Sequence, residues 1–169
     1  YFAMGPGTGV GATSYPACRD ISAPVSPSDN AWHHVAYAYD GTEARLYMDG
    51  KRVAARPASG KIGNGDGRAF LGAIFRPPDE KPRRSFLGYL DTLRISDIAR
   101  YSGEGFPPPS GDLPSDEHTV LLFNFNEPEG STSIRDESGS GLTGLLGGPG
   151  ATPPKLVVDP LLARHGENR

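Results

Sequence analysis

The chain is almost without cysteine. Its single thiol, Cys18, cannot close a disulfide within the chain, so cysteine content does not indicate a redox compartment. No neighbouring residue in the sequence favours a thiolate, which argues against a cysteine nucleophile. The sequence also has no Asn-x-Ser/Thr acceptor for glycosylation, and we recognise no signal peptide in it.

Long apolar runs and an excess of charge are missing as well. No stretch approaches the ~18 apolar residues of a membrane-spanning helix, so we expect no membrane insertion. The net charge of −3 argues against a general nucleic-acid binder. The one basic segment, from Arg76 to Arg84, also contains two acids and three prolines, and we interpret it as a solvated loop.

Glycine and proline are abundant, at 23 and 17 residues, and they interrupt every long window. This excludes a coiled coil, and the absence of a three-residue glycine period excludes collagen. The chain nevertheless carries 7 Tyr, 7 Phe and 1 Trp, which a disordered tail would lack. Short aromatic runs between frequent turns predict a soluble all-β domain.

The strongest pattern lies between residues 31 and 56. A run from Ala31 to Tyr39 is rich in strand formers, and Ala44 to Met48 alternates apolar and polar residues. Asp40-Gly41 and Asp49-Gly50 separate these runs, and Asp-Gly is a strong hairpin signal. The sequence therefore predicts a three-stranded antiparallel meander. Trp32, at the head of a strand apolar on both faces, is expected to be buried.

Two further strands are predicted, at Phe86–Ile95 and Val120–Phe125. In the first, Asp91 shares its face with apolar residues and should point inward, where a carboxylate needs a partner. Residues 97–101 could form one helical turn. Residues 1–30 read as loose, except that Tyr1 to Met4 could form a short strand, and a glycine-rich turn is expected from Gly5 to Gly11. We therefore expect a domain over 1–148 and a Pro/Gly-rich tail over 149–169.

These residues resemble a known family. Trp32 to Ala36, Tyr39 to Gly41 and Arg45 to Lys51 are similar to the core signature of laminin-G-like domains of the concanavalin A-like lectin/glucanase superfamily. Phe86 to Ser96 and Leu121 to Asn126 resemble later segments, so the similarity covers roughly residues 31 to 145. The resemblance implies a two-sheet antiparallel jelly-roll sandwich. It also implies more strands before Trp32 than 31 residues supply, so N-terminal strands are expected to be missing.

Catalytic patterns are absent from the sequence. Glucanases of this superfamily carry a Glu-x-Asp-x-x-Glu strand that aims carboxylates into one cleft, and no such spacing occurs here. Glu127 and Glu129 are separated by a proline that is unfavourable in a central strand. His33 and His34 are adjacent, so in a strand they point to opposite faces. We interpret them as histidines satisfied by hydrogen bonds in the sheet.

Candidate binding residues follow from exposure and chemistry. Tyr47 shares the polar face of its strand with Arg45, and Tyr101 lies beside Arg100, so these four are the candidate ligand-binding residues. Calcium is common in the family that the chain resembles. Asp91 and Asp136 are the candidate metal ligands, because calcium prefers carboxylate oxygens. For Asp91 we favour a protein partner over a metal, and for Asp136 an Asx turn is the alternative.

Three functions remain open. We favour a non-catalytic module of a secreted or cell-surface protein that recognises a glycan or an extracellular protein. The alternatives are a glycoside hydrolase or lyase of the same superfamily, and a structural spacer with no ligand. An exposed aromatic side chain in a concavity would favour recognition, and its absence would favour the spacer.

Overall fold

The computed structural model describes residues 2–5, 9–14, 18–27, 29–63, 69–75, 82–83, 86–147 and 152–157. Within these ranges the chain forms strands and no helix. The strands are β1 (Phe2–Gly5), β2 (Gly9–Ser14), β3 (Cys18–Ala23), β4 (Val35–Tyr39), β5 (Glu43–Met48), β6 (Lys51–Pro57), β7 (Ile74–Phe75), β8 (Pro82–Arg83), β9 (Leu93–Ser96), β10 (Thr119–Phe123), β11 (Ser133–Arg135) and β12 (Thr143–Leu145).

The chain divides into two compact units, and each is described here by itself. Unit 1 contains residues 1–69 and 96–111, and unit 2 contains residues 70–95 and 112–169. Every pairing with a defined register is antiparallel. The predicted all-β antiparallel fold is therefore confirmed. The prediction of a single domain over 1–148 stays a prediction.

Unit 1 is built from two three-stranded sheets, ordered β1-β2-β3 and β4-β5-β6. Strand β3 packs against β5 and β6. Ala12, Ile21 and Ala23 of the first sheet form one buried cluster with Ala44 and Leu46 of the second. Small and branched side chains meet across the two inner faces, as in other β-sandwiches, and their burial excludes water from both sheets.

The meander between residues 31 and 56 is confirmed. Strand β4 pairs with β5 from Val35 opposite Met48 to Tyr39 opposite Ala44, and β5 pairs with β6. In the turn between β5 and β6, Asp49 has φ 52° and Gly50 has φ 74°. Positive φ at both central residues is the requirement of a type I′ hairpin turn, which matches the twist of the flanking strands.

The N-terminal residues differ from the prediction. The short strand suggested for Tyr1 to Met4 is confirmed by β1. The loose segment and the glycine-rich turn from Gly5 to Gly11 are not, because β2 and β3 form a sheet with β1 and Gly9 begins β2. A Cβ at Gly11 would lie 3.3 Å from the Ile21 carbonyl oxygen of β3, so glycine here permits close pairing of the strands. Composition alone suggested a turn because glycine is typical of turns, whereas Gly5, Gly9 and Gly11 lie in paired strands.

Unit 2 contains the pairs β9-β10, β11-β12 and β7-β8. Its fully buried side chains include Leu122 of β10 and Ile134 of β11. We predicted a strand over Val120–Phe125, whereas β10 covers Thr119–Phe123 and buries Leu122, followed by Asn124. Leu121 and Phe123, which the alternation placed on one inward face, are only half-buried. Burial in β10 does not alternate, because Thr119 and Leu122 are buried whereas Val120 is 41% exposed.

The long strand predicted over Phe86–Ile95 is wrong for most of its length. Only Leu93–Ser96 is a strand, and residues 97–101 form no helical turn. The face expected to be buried is exposed: Leu87 is 93% exposed, and Asp91 is exposed as well. Apolar residues do alternate in this segment, but residues 86–92 belong to no strand. No strand pairing therefore orients their apolar side chains toward an interior.

Several predictions lie outside the described residues. These concern most of the basic segment from Arg76 to Arg84 and most of the tail over 149–169. In the part of the chain that the structure describes, no helix is long and apolar enough to cross a membrane.

Candidate binding site around Trp32

The site begins with the loop that precedes β4. The Asp29 carboxylate atom Oδ1 accepts the Ala31 backbone N–H at 3.0 Å and lies 2.8 Å from the His33 ring atom Nε2. Asn30, between them, has φ 63°, a left-handed conformation that asparagine tolerates better than most residues. One carboxylate oxygen thus closes residues 29–33 into a compact loop, the Trp32 loop.

A second carboxylate attaches this loop to the turn between β5 and β6. Asp49 Oδ2 lies 2.8 Å from His33 Nδ1, and Asp49 Oδ1 accepts the His34 backbone N–H at 3.0 Å. The Asp49 backbone N–H also donates to the His34 carbonyl oxygen at 2.8 Å. The type I′ turn fixes the Asp49 side chain opposite the start of β4, so the hairpin signal and the contact to His33 depend on the same residue.

The electrostatics of His33 follow from these contacts. A neutral imidazole has only one N–H, so both ring nitrogens donate to carboxylates only when the ring is protonated. The hydrogen bond to Asp29, followed by that to Asp49, raises the pKa of His33 above its ordinary 6.5. The hydrogen bond from His33 lowers the pKa of Asp29 below 3.8. The His33 side chain is only 13% exposed, whereas those of Asp29 and Asp49 are 59% and 47% exposed.

Trp32 lies on this loop and is 42% exposed, so the prediction that it is buried is wrong. The reason is the strand boundary. Strand β4 begins at Val35, and residues 32–34 precede it in irregular conformation. The strand therefore begins three residues after Trp32, although the apolar run includes it. The indole of Trp32 lies partly in solvent.

Tyr47 is not the exposed platform that its strand parity predicted, because it is fully buried. Its hydroxyl donates to the Gly103 carbonyl oxygen at 3.2 Å, and its ring packs against those of Tyr101 and Phe106. Burial raises the pKa of Tyr47 above 10. The face that looked polar in the sequence is covered by residues 101–106, which are distant in the chain.

Tyr101 contributes to the same cluster. Its ring stacks on Phe106 with the ring centroids 3.6 Å apart, and His34 meets both rings edge-on. Tyr101 is half-buried, and Arg100 donates through Nε to the Ser96 hydroxyl at 2.5 Å. We call His34, Tyr47, Tyr101 and Phe106 the aromatic cluster. Its contacts are those of packing between the second sheet and the 101–106 segment.

Arg45, the fourth predicted ligand-binding residue, is committed to the turn between β4 and β5. Its guanidinium contacts Asp40 Oδ2 at 2.7 Å and Glu43 Oε2 at 2.6 Å, and its side chain is nearly buried. Asp40 Oδ1 also accepts hydrogen bonds from Thr42 and Glu43, led by the Thr42 hydroxyl, which lower the Asp40 pKa. The structure therefore brings Tyr47 and Tyr101 together but gives Arg45 a structural ion pair instead.

Asp136, a candidate metal ligand, is 7% exposed and surrounded by donors in unit 2. Its Oδ1 accepts the backbone N–H groups of Leu122 and Ser138, and its Oδ2 accepts the Ser138 hydroxyl and the Leu142 N–H. Burial alone would raise the pKa of Asp136, but these hydrogen bonds, with Ser138 foremost, lower it below 3.8. The contact to Ser138 is the Asx turn that the sequence left open.

Asp91 differs from the expectation of a buried acid, because it is exposed and its Oδ1 accepts the Thr92 backbone N–H at 3.0 Å. Among the described residues, no group of three or more His, Cys, Asp or Glu side chains is placed to hold a metal ion. Neither Asp91 nor Asp136 therefore belongs to a metal-binding group of side chains among the described residues.

Glu127 is fixed in unit 2, where its Oε1 accepts the Arg135 N–H at 2.8 Å. Glu127 and Arg135 line an open depression that is otherwise bordered by small and hydroxyl side chains and by Ile134 and Leu142. Glu129, two residues on, is exposed in the turn that precedes β11. Neither carboxylate belongs to a strand, so the alternate strand positions that a glucanase uses to aim its two acids do not occur at this pair.

Sequence reasoning missed the contacts of the Trp32 loop. It expected His33 to be satisfied by hydrogen bonds in the sheet. The ring is hydrogen-bonded, but it lies ahead of β4 and its partners are the carboxylates of Asp29 and Asp49. Asp29 lies four residues before His33, and Asp49 lies in a turn that the Asp-Gly signal had already located. The pairing of β4 with β5, which the first Asp-Gly turn predicts, places Asp49 beside the start of β4. This pairing was the available signal.

Comparison with known proteins places the chain in a family. A laminin-G family model, described as the concanavalin A-like lectin/glucanases superfamily, matches residues 4–104, which is more than half of the chain. The match includes β1 to β6 and the Trp32 loop, and it starts earlier and ends earlier than the resemblance seen in the sequence. No curated protein and no solved structure matches the chain. The chain belongs to the laminin-G-like family of the concanavalin A-like lectin/glucanase superfamily.

Proposed function

We propose that this domain is a non-catalytic recognition module that binds a glycan at the Trp32 loop. The observation that carries the proposal is the exposed indole of Trp32 on a loop held by Asp29, His33 and Asp49. An indole offers a flat apolar face on which the C–H face of a sugar ring can stack. The half-exposed carboxylates of Asp29, on the same loop, and Asp49, in the adjoining turn, offer acceptors for sugar hydroxyls.

The hydrogen bonds within the loop support this function because they reduce the free-energy cost of ordering the loop when a ligand binds. A side chain that is ordered only on binding costs about 0.5–1.5 kcal/mol of the interaction energy. Asp29 and His33 tie the backbone on both sides of Trp32 before any ligand arrives. Such a loop is suited to recognition, whereas a spacer has no use for an exposed and fixed tryptophan.

We propose that the site is non-catalytic because the two carboxylates of the Trp32 loop and its adjoining turn are already hydrogen-bonded to His33. Asp29 and Asp49 flank the His33 ring and hold it through both nitrogens. A glycosidase acid must have a raised pKa, and the pKa of Asp29 is lowered. We place the parent protein at the cell surface or outside the cell, where glycans are displayed.

The test is a binding screen against a panel of immobilised neutral and acidic oligosaccharides, made with the unmodified chain and with Trp32→Ala. We expect binding to at least one class of oligosaccharide, and Trp32→Ala should weaken it at least about tenfold, or ~1.4 kcal/mol. Trp32→Phe keeps an aromatic face and should retain part of the affinity. Tyr89→Ala removes an exposed aromatic ring from unit 2 and serves as the matched control.

Three outcomes would refute the proposal. Absence of binding to every oligosaccharide would favour a spacer or a protein ligand. Binding that Trp32→Ala leaves unchanged would place the site elsewhere in the domain. Turnover of a bound glycan, abolished by substitution of an Asp or Glu, would make the chain an enzyme.

A further inference from the structure

The protonation state of His33 decides how the Trp32 loop is held. Two charged groups face its ring, Asp29 from its own loop and Asp49 from the turn packed against it, each 2.8 Å from a ring nitrogen. The other titratable neighbour, His34, has its ring against Tyr101 and Phe106. The doubly protonated ring is therefore the only form of His33 that satisfies both carboxylates at once.

Loss of one proton changes these contacts in a defined way. A neutral imidazole keeps one N–H and presents a lone pair at the other nitrogen. That lone pair would face a carboxylate oxygen at 2.8 Å, so one of the two contacts must open. Opening the contact to Asp29 loosens the loop itself, and opening the contact to Asp49 detaches the loop from the β5–β6 turn.

We propose that His33 is a proton-dependent clamp, which fixes the Trp32 loop while the ring is protonated and releases it on deprotonation. The consequence for ligand binding rests on the proposed function: glycan affinity should be higher on the acidic side of the transition. This is regulation of the recognition site by pH, and it requires no group besides those of unit 1.

The sign of the pH dependence follows from the two shifted groups. Because the pKa of His33 is raised above 6.5, its contribution is complete below 6.5 and is lost as pH rises through the folded value. Because the pKa of Asp29 is lowered from 3.8, its contribution is present above 3.8 and is lost as pH falls through the folded value. The clamp is therefore closed between these two transitions and opens as pH rises through the folded pKa of His33.

Trp32 is the only tryptophan in the chain, so its fluorescence reports directly on the loop. We would measure emission and acrylamide quenching from pH 5 to pH 9 without any ligand. The expected result is one step with a midpoint above 6.5, with greater quenching on the alkaline side. His33→Gln should abolish the step, and Asp29→Asn and Asp49→Asn should each lower its midpoint. His118→Gln, which removes an imidazole from unit 2, should change nothing.

The outcomes separate the clamp from the glycan proposal. A flat fluorescence profile, a step that persists in His33→Gln, or a midpoint that neither Asp variant lowers would overturn the clamp whether or not a glycan binds. An NMR titration of the His33 ring with a pKa at or below 6.5 would overturn it as well. Absence of glycan binding alongside the expected step would refute the proposed function and leave the clamp supported.

Discussion

Replacement of Asp136 tests whether this acid stabilises unit 2 or serves as a metal ligand. In Asp136→Ala, the backbone N–H groups of Leu122, Ser138 and Leu142 all lose their acceptor. Each unsatisfied buried donor costs about 1–3 kcal/mol, although water and local relaxation recover part of this. We therefore expect Asp136→Ala to lower the free energy of unfolding by about 3–5 kcal/mol.

Asp136→Asn should be milder for a geometrical reason. An amide oxygen at the Oδ1 position keeps the two N–H groups of Leu122 and Ser138, while the amide nitrogen faces the Leu142 N–H, which is the longest of the contacts at 3.3 Å. One orphaned backbone donor predicts a loss of about 1–3 kcal/mol. Urea unfolding at pH 7 measures both variants. Glu117→Ala, at an exposed acid, is the control and should stay within about 0.5 kcal/mol.

The pH dependence gives an independent check on the same residue. Because the folded pKa of Asp136 is lowered, its stabilisation is present above the unfolded value of 3.8 and is lost as pH falls through the folded value. The difference between the unmodified chain and Asp136→Ala should therefore shrink in acid. Added calcium should not raise the melting temperature, since four donors already occupy the carboxylate. A loss below 1 kcal/mol for Asp136→Ala, or a calcium-dependent rise that Asp136→Asn removes, would refute this reasoning.

Two further predictions concern unit 1. Tyr47→Phe removes the hydrogen bond to Gly103 and should cost about 0.5–1.5 kcal/mol in urea unfolding, whereas Tyr47→Ala should cost about 3–5 kcal/mol because it empties a buried site; equal losses would show that the ring contributes little. Gly50→Ala should cost well over the ~1–2 kcal/mol of positive-φ strain alone, because its Cβ would lie 2.0 Å from the Phe106 carbonyl oxygen. Gly41→Ala, also at positive φ but with nothing within 4 Å, is the matched control, and equal melting temperatures for the two variants would contradict the close approach.

The sequence predicted well whatever local chemistry determines. The Asp-Gly pairs at 40–41 and 49–50 located both hairpin turns, because positive φ is a property of the turn residues themselves. The alternation in β5 also identified Ala44 and Leu46 as core residues. The resemblance around β4 and β5 identified the family that the comparison confirms.

What the sequence did not predict depends on contacts with distant segments. Tyr47 looked exposed because its face carries Arg45, and only the 101–106 segment covers it. Trp32 looked buried because its neighbours are apolar, and only the start of β4 at Val35 places it outside the sheet. Parity shows which residues share a face of a strand, but not whether another segment covers that face.

The candidate site was missed for a related reason. The position of His33 between two carboxylates arises only when folding brings the loop and the hairpin turn together, since Asp29 and Asp49 are 20 residues apart in the sequence. Each residue has a common local interpretation: a loop acid for Asp29 and a turn residue for Asp49. The type I′ geometry at Asp49 is what brings the second acid to the His33 ring.

The most direct test of glycan recognition at the Trp32 loop is a fluorescence titration of the unmodified chain with the tightest-binding oligosaccharide, at pH 6. The single tryptophan reports any ligand stacked on it. We predict a saturable change in emission and protection from acrylamide, with a midpoint equal to the dissociation constant measured by calorimetry. Binding by calorimetry with no change in Trp32 fluorescence or quenching would contradict the account.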